Sequence, residues 1–157
     1  MSYLDYLKGR TSRYKINKLF EYMRVLEDAL NGDINLACEP ETLATVVTEA
    51  DGNEEDFTRE VEITLEDEDG NLHQWFNEEI DVDIADDSTS GEAQFEDGTT
   101  DTQQLELNRG KGTITIVYDT TSGNFEADDE ITLTASSGNL LGYNIADATS
   151  VDTLAAE

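Results

Sequence analysis

Residues Glu60–Glu66, with the sequence EVEITLE, alternate strictly between acidic or polar and apolar side chains. A period of two places Val61, Ile63 and Leu65 on one face of a β-strand and the carboxylates on the other. One-sided alternation of this kind is typical of an antiparallel sheet with one buried and one solvent-facing side. The stretch therefore predicts a strand that contributes three side chains to a core.

The same alternation recurs along the chain from residue 41 onward. Clear repeats lie at Glu79–Ile84, Thr113–Tyr118 and Glu130–Ala135, and weaker ones at Leu43–Val47, Leu72–Phe76, Gln104–Leu107 and Leu140–Ile145. Asp-Gly and Ser-Gly-Asn turn signals separate these runs. Seven or eight short strands in about 115 residues predict a mainly β fold, an antiparallel immunoglobulin-like β-sandwich. We expect Trp75 to be its central core aromatic residue.

Charge divides the chain of 157 residues into two unlike segments. The whole chain has 37 acidic and nine basic side chains, for a net charge of −28. Residues 1–32 hold six of the basic and four of the acidic side chains, so the rest of the chain carries a net charge of −30. Such asymmetry indicates segments that face different surroundings. We expect an N-terminal helical attachment and oligomerisation segment at 1–36 and an acidic β-sandwich domain at 37–157.

The large negative charge indicates the solvent in which the sandwich works. Self-repulsion destabilises a body of this charge in dilute salt, whereas the screening length falls to about 3 Å in molar salt. Lysine is depleted, with only Lys111 beyond residue 18. These features favour a halophilic source, the alternative being a mesophilic acidic protein that binds divalent cations. Repulsion from phosphate disfavours nucleic acid as a partner, and the absence of an apolar run of about 18 residues disfavours a membrane-spanning helix.

The basic N-terminal segment predicts two helical pieces, a short turn over residues 3–8 and a helix from Thr11 or Ser12 to about Leu30, stopped by Asn31-Gly32. Apolar residues recur in the second piece with a 3-4-3-4 spacing, which is a heptad seam. This stripe either packs on the chain's own sandwich or contacts a second copy or a partner. The predicted oligomer interface consists of Ile16, Leu19, Phe20, Met23, Leu26 and Leu30.

The inventory of reactive side chains argues against an enzyme. His73 is the only histidine and Cys38 the only cysteine, so neither a Ser-His-Asp nor a Cys-His relay is well supplied. We expect His73 at a surface or hydrogen-bonded strand position and Cys38 as a small buried apolar residue. No catalytic residue and no cofactor is predicted.

Two acidic loops are weak candidates for a cation. Asp67, Asp69, Asn71 and Glu78 stand at positions 1, 3, 5 and 12 of a calcium-loop count. The glycine of that loop falls at position 4 instead of 6, and a plain β-turn between strands also explains the sequence. The loop Asp86–Glu92 offers further carboxylates that either hold a cation or are simply solvated.

The chain as a whole resembles the small head-decoration, head-fibre or turret proteins of tailed viruses. The resemblance lies in the opening LDYLKGRTSRY (Leu4–Tyr14) with its helix to Gly32, in VEITLEDEDGN (Val61–Asn71), and in YDTTSGNFE (Tyr118–Glu126). Such proteins combine a short N-terminal helical segment with one β-sandwich. With the acidic composition, the resemblance implies a virus of a halophilic archaeon.

The resemblance implies a non-enzymatic, symmetric assembly, commonly a trimer, on the outside of a capsid. Its helical base would contact the major capsid protein or other shell subunits, and the protein would be made in the host cytoplasm. The residues expected to contact the shell are Lys8, Arg10, Arg13 and Tyr14. The alternative is a binding or adhesion module of a halophilic cell, either an envelope-type immunoglobulin-like domain or an acidic inhibitor.

Overall fold

The computed structural model describes residues 12–31, 34–47, 57–74, 76–120, 123, 125–137 and 145–156. Helix α1 spans Ser12–Asn31 and is followed, in these ranges, by eleven strands. The strands are β1 (Ile34–Glu39), β2 (Thr42–Leu43), β3 (Val46–Val47), β4 (Phe57–Asp67), β5 (Glu79–Asp86), β6 (Glu92–Phe95), β7 (Thr102–Glu106), β8 (Lys111–Asp119), β9 (Glu130–Ser136), β10 (Ala148–Thr153) and β11 (Ala155–Ala156). The predicted turn over residues 3–8 and Trp75 lie outside the described residues, as does nearly all of the run 140–145.

The strands form two main sheets. One has the order β1-β4-β8-β6 and the other the order β2-β10-β9-β5-β7. Every pairing between strands of four or more residues is antiparallel, while the two-residue strands β2 and β3 pair in parallel with β10 and β11. Among the described residues eight strands have four or more residues. The predicted mainly β, immunoglobulin-like sandwich with an N-terminal helix is therefore confirmed.

One hydrophobic core, drawn from both sheets, fills the space between them. Val61, Ile63 and Leu65 are fully buried, as the alternation of β4 predicts. Val82 on β5 and Leu133 on β9 face them from the other sheet and are equally buried. Burial of each such side chain stabilises the fold by about 1.5–3 kcal/mol. None of the described side chains of α1 belongs to this core.

The structure departs from the expected strands in two places. The run Leu72–Phe76 is not a strand, because in the described part of it only Leu72 makes an isolated bridge, to Glu66. The run Leu43–Val47 is interrupted at residues 44–45 and contributes two short strands instead of one. In addition, β1 begins at Ile34, so three residues ahead of the expected domain start at 37 already belong to the sandwich.

Candidate functional site

Helix α1 carries an exposed apolar surface, which we call the α1 stripe. The exposed fractions of its members are 53% for Ile16, 49% for Leu19, 62% for Phe20 and 52% for Met23. Helical geometry places all four on one face. Of the other two residues of the expected interface, Leu26 is half-buried, and the side chain of Leu30 lies outside the described part. A contiguous apolar surface of this kind is typical of an interaction site.

Basic residues border the α1 stripe on both sides. With about 100° of rotation per residue, Arg13 and Arg24 lie next to Phe20, and Lys15 and Lys18 lie beyond the opposite border. Arg13, Lys15 and Arg24 are exposed, and Lys18 is half-buried. Glu27 is also exposed and continues the same face one turn beyond Met23. Along the length of the stripe itself, its borders are therefore complementary to an apolar surface with an acidic rim.

The structure separates the residues expected to contact the shell. Arg13 is exposed beside the α1 stripe, whereas Tyr14 is half-buried and lies toward the opposite face of the helix. Lys8 and Arg10 lie outside the described residues. Arg13 alone is thus placed next to the apolar surface.

Each of the three basic residues of the acidic segment already has a partner. Arg59 is 7% exposed and lies between the sheets. The Lys111 Nζ atom lies 2.6 Å from Glu62 Oε2 on the sandwich surface. The Arg109 Nη2 atom donates to Gln74 Oε1 at 3.2 Å. Most carboxylates of the sandwich surface therefore depend on cations from the solvent for neutralisation.

A buried carboxylate joins the two sheets. Asp152 on β10 is fully buried. Its Oδ1 accepts a hydrogen bond from the backbone N of Thr45 at 2.9 Å, and its Oδ2 accepts from Thr45 Oγ1 at 2.6 Å and from the Tyr118 hydroxyl on β8 at 2.7 Å. The Arg59 Nη1 atom on β4 lies 4.0 Å from Oδ2. Burial of the ion pair is tolerable because these donors satisfy the carboxylate.

The guanidinium of Arg59 extends this network to the connection between β1 and β2. Its Nη1 donates to Ser150 Oγ at 3.4 Å, and that hydroxyl donates to the carbonyl oxygen of Pro40 at 2.5 Å. The Nε and Nη2 atoms of Arg59 are buried and have no hydrogen-bond partner in the described residues. Strands β4, β8 and β10 and the segment 40–45 are thus held together by one polar cluster.

Burial keeps two ionisable groups near this cluster neutral. Burial, reinforced by the hydrogen bond to Asp152, raises the pKa of the Tyr118 hydroxyl far above its ordinary value, although Arg59 opposes the shift. Burial also raises the pKa of the Cys38 thiol to about 11, and Cys38 is 5% exposed, which confirms the expected small buried residue. Tyr118 therefore remains a hydrogen-bond donor at any ordinary pH.

The calcium candidates form a hydrogen-bonded turn. Asp67 Oδ1 accepts from the backbone N of Asn71 at 2.8 Å and of Asp69 at 3.0 Å, and the Asn71 amide nitrogen also donates to it. The backbone hydrogen bond from Asn71 is the main reason that the pKa of Asp67 is lowered. Glu78 is exposed. In the described residues no three His, Cys, Asp or Glu side chains lie close enough to hold a metal ion.

The second acidic loop lines an open hollow of about 440 Å³. Asp86 is engaged within the loop, since its Oδ1 accepts from the backbone N of Ser88 at 2.8 Å and its Oδ2 from that of Ala93 at 2.7 Å. The Ser88 hydroxyl donates to the Gly91 carbonyl at 2.7 Å. The carboxylate of Asp86 thus fixes the loop, and Glu92 is the other acidic side chain of the hollow.

The single histidine lies in a packed position. His73 is 7% exposed, and its backbone N donates to the Leu65 carbonyl at 2.7 Å. It follows β4 in a loop and not in the expected strand.

The described residues contain one helix, α1, and it is not apolar enough to cross a membrane.

Sequence reasoning missed the buried polar cluster. Arg59 stands two residues before Val61, so the alternation of β4 does place it on the core face. The alternation thus indicated that Arg59 is buried, but a charged residue at the start of an alternating run is usually exposed to solvent. No comparable signal marks Asp152 or Thr45, because their burial depends on which strands become neighbours.

Neither the scan against family models nor the search of curated proteins found a match for this chain. The solved structures similar to it include a PapD-like domain of human CEP192, with 8% identity, a TM-score of 0.43, and coverage of 80% of this chain and 87% of that chain. A conjugative transposon lipoprotein from Bacteroides eggerthii matches with 13% identity, a TM-score of 0.37, and coverage of 74% and 95%. The CFA/I adhesin CfaE of enterotoxigenic E. coli matches with 11% identity, a TM-score of 0.41, and coverage of 80% and 49%. Similarities this distant carry no information about function.

Proposed function

We propose that this chain is a non-enzymatic structural protein that assembles through the α1 stripe and presents its acidic β-sandwich to a high-salt solvent. The observation that carries the proposal is the separation of two apolar surfaces. The sandwich buries its own core, while Ile16, Leu19, Phe20 and Met23 are about half exposed. An apolar stripe that its own domain leaves uncovered is best explained by contact with another chain.

The setting that we propose is the outer surface of a virus capsid, with a homo-oligomer, favoured as a trimer, standing on the major capsid protein or other shell subunits. The resemblance to head-decoration and turret proteins supports this setting, and the charge distribution is compatible with it. The basic helix would face the assembly, and the anionic sandwich would face brine and keep particles apart. A capsid or portal gene beside the gene for this chain would support the setting further.

The second candidate is a binding or adhesion module of a halophilic cell. It is favoured by the completeness of the sandwich, which has one closed core in the described residues and thus fits a domain that works independently of α1. In this alternative, α1 would be a connection to other parts of an assembly. Loss of α1 contacts would then leave ligand binding by the sandwich intact.

The oligomeric state of stripe variants in 2 M KCl tests the first proposal. We expect the wild-type chain to be oligomeric by light scattering, and the triple variant Leu19→Gln, Phe20→Gln, Met23→Gln to be monomeric while it still unfolds in one cooperative transition. Asn17→Gln, an exposed α1 position outside the stripe, is the matched control and should assemble normally. A triple variant that still assembles would refute the proposal, and one that unfolds would show that the stripe belongs to the core.

A further inference from the structure

Large exposed apolar side chains occur in two places in the described residues. One is the α1 stripe, and the other consists of Leu43 and Val46, which are 38% and 60% exposed and which we call the edge ridge. Both surfaces are exposed in the same molecule, so α1 does not cover the edge ridge of its own chain. Each surface is therefore open to a second chain.

The edge ridge is held rigidly by the buried polar cluster. Thr45, between its two apolar residues, donates two hydrogen bonds to Asp152, and its carbonyl accepts from the Ala155 N at 2.9 Å. The carbonyl of Glu41 accepts from the Val151 N at 2.9 Å. A surface that is already ordered loses little conformational entropy when a partner docks on it.

Charge makes the edge ridge a suitable partner for the α1 stripe. The ridge follows two exposed carboxylates, Glu39 and Glu41. The stripe has four basic residues along its borders, against the single exposed acid Glu27 at its C-terminal end. Docking of the stripe on the ridge would place opposite charges together and fix the orientation.

A bundle of α1 helices lacks this match. With Ile16 and Leu19 at the a and d positions, the flanking positions of a parallel pair would set Lys15 against Phe20 and Tyr22 against Glu27. Neither pair joins opposite charges, so nothing at these positions favours helix-to-helix pairing.

We propose that the α1 stripe of one copy docks on the edge ridge of a second copy. The inference rests on the proposed function and names the occupant of the stripe. The two surfaces differ, so the contact is heterologous and repeats from copy to copy. If the rotation between copies closes, the product is a ring such as the expected trimer; otherwise it is an open chain.

Mixed cross-linking tests the contact directly. One preparation carries Met23→Cys and the other Val46→Cys, and the two are mixed in 2 M KCl and oxidised. We expect the mixed disulfide dimer to be the main product. A mixture of Met23→Cys with Thr58→Cys, an exposed position on β4, should give little of it. Native Cys38 is buried and does not compete. Dominance of the Met23→Cys homodimer, with no mixed product above the Thr58→Cys control, would overturn the inference.

Variants of the edge ridge distinguish this inference from the proposed function. We expect Leu43→Gln with Val46→Gln to raise the dissociation constant by about tenfold or more, because two apolar side chains lose their partner. Thr42→Gln, exposed on β2, is the matched control, and melting temperatures verify folding. Wild-type association of the ridge variant alongside a monomeric stripe variant would overturn the inference and leave the proposed function standing. Wild-type association of the stripe variant would overturn both.

Discussion

The interior and the outer surface of the sandwich handle charge in opposite ways. Inside, the carboxylate of Asp152 accepts hydrogen bonds from three fixed donors and lies 4.0 Å from the guanidinium of Arg59. Outside, carboxylates far outnumber basic groups, and Lys111 forms a close ion pair with Glu62. The difference shows that a charge is matched by protein groups where water is excluded, and by solvent ions where it is not.

The largest effect should come from breaking the interior pair. Asp152→Ala removes the acceptor for Thr45 and Tyr118 and leaves Arg59 buried without its carboxylate, so we expect a loss of about 3–5 kcal/mol in the free energy of unfolding. Guanidinium unfolding measures this loss. Asp147→Ala, at an exposed position, is the matched control and should change stability by no more than about 0.5 kcal/mol. Similar values for the two variants would contradict the contrast between interior and surface.

The sequence predicted the parts of the fold in which hydrophobic pattern and structure agree. Alternation identified β4, β5, β8 and β9, because each places apolar residues on the core face at every second position. The helix was expected from Thr11 or Ser12 to about Leu30, and α1 spans Ser12–Asn31. Both results follow from periodicity, which depends on local sequence alone.

Strands whose pattern is disguised were missed. In β10 the inward positions include Ser150 and Asp152, while Val151 faces outward, so the run reads as polar. Strand β1 does alternate, with Ile34 and Leu36 buried, but it begins three residues after α1, so the expected boundary between residues 36 and 37 falls inside it. The alternation of β4 indicates a buried Arg59, but its partner Asp152 could not be foreseen, because the burial of Asp152 depends on the neighbours that β10 acquires only in the folded sheet.

A smaller effect on the free energy of unfolding should come from ionisation of the buried Cys38 thiol. Burial raises the pKa of Cys38 to about 11, from an ordinary value of 9.0. The group therefore stabilises the fold fully below about pH 9, and this contribution is lost as the pH rises through 11. We expect wild-type stability, relative to Cys38→Ala, to fall by about 2 kcal/mol between pH 8 and 11. Denaturant unfolding under reducing conditions measures the free energy of unfolding of both proteins at each pH. If the free energies of the wild type and of Cys38→Ala change in parallel with pH, the prediction is contradicted.

The smallest effect on the free energy of unfolding should come from breaking the surface ion pair between Lys111 and Glu62. The side chains of Lys111 and Glu62 are 50% and 39% exposed, so we expect their ion pair to contribute about 0–1 kcal/mol. Lys111→Met breaks the pair and makes the sandwich more negative, whereas Glu62→Gln breaks the same pair and relieves self-repulsion. Lys111→Met should therefore be the more destabilising variant at 0.1 M KCl, and the difference should vanish at 1 M, where screening acts within about 3 Å. Thermal unfolding at both salt concentrations measures the difference. Equal effects at low salt would mean that repulsion across the carboxylate surface does not limit stability, and a difference that persists at high salt would assign it to local packing.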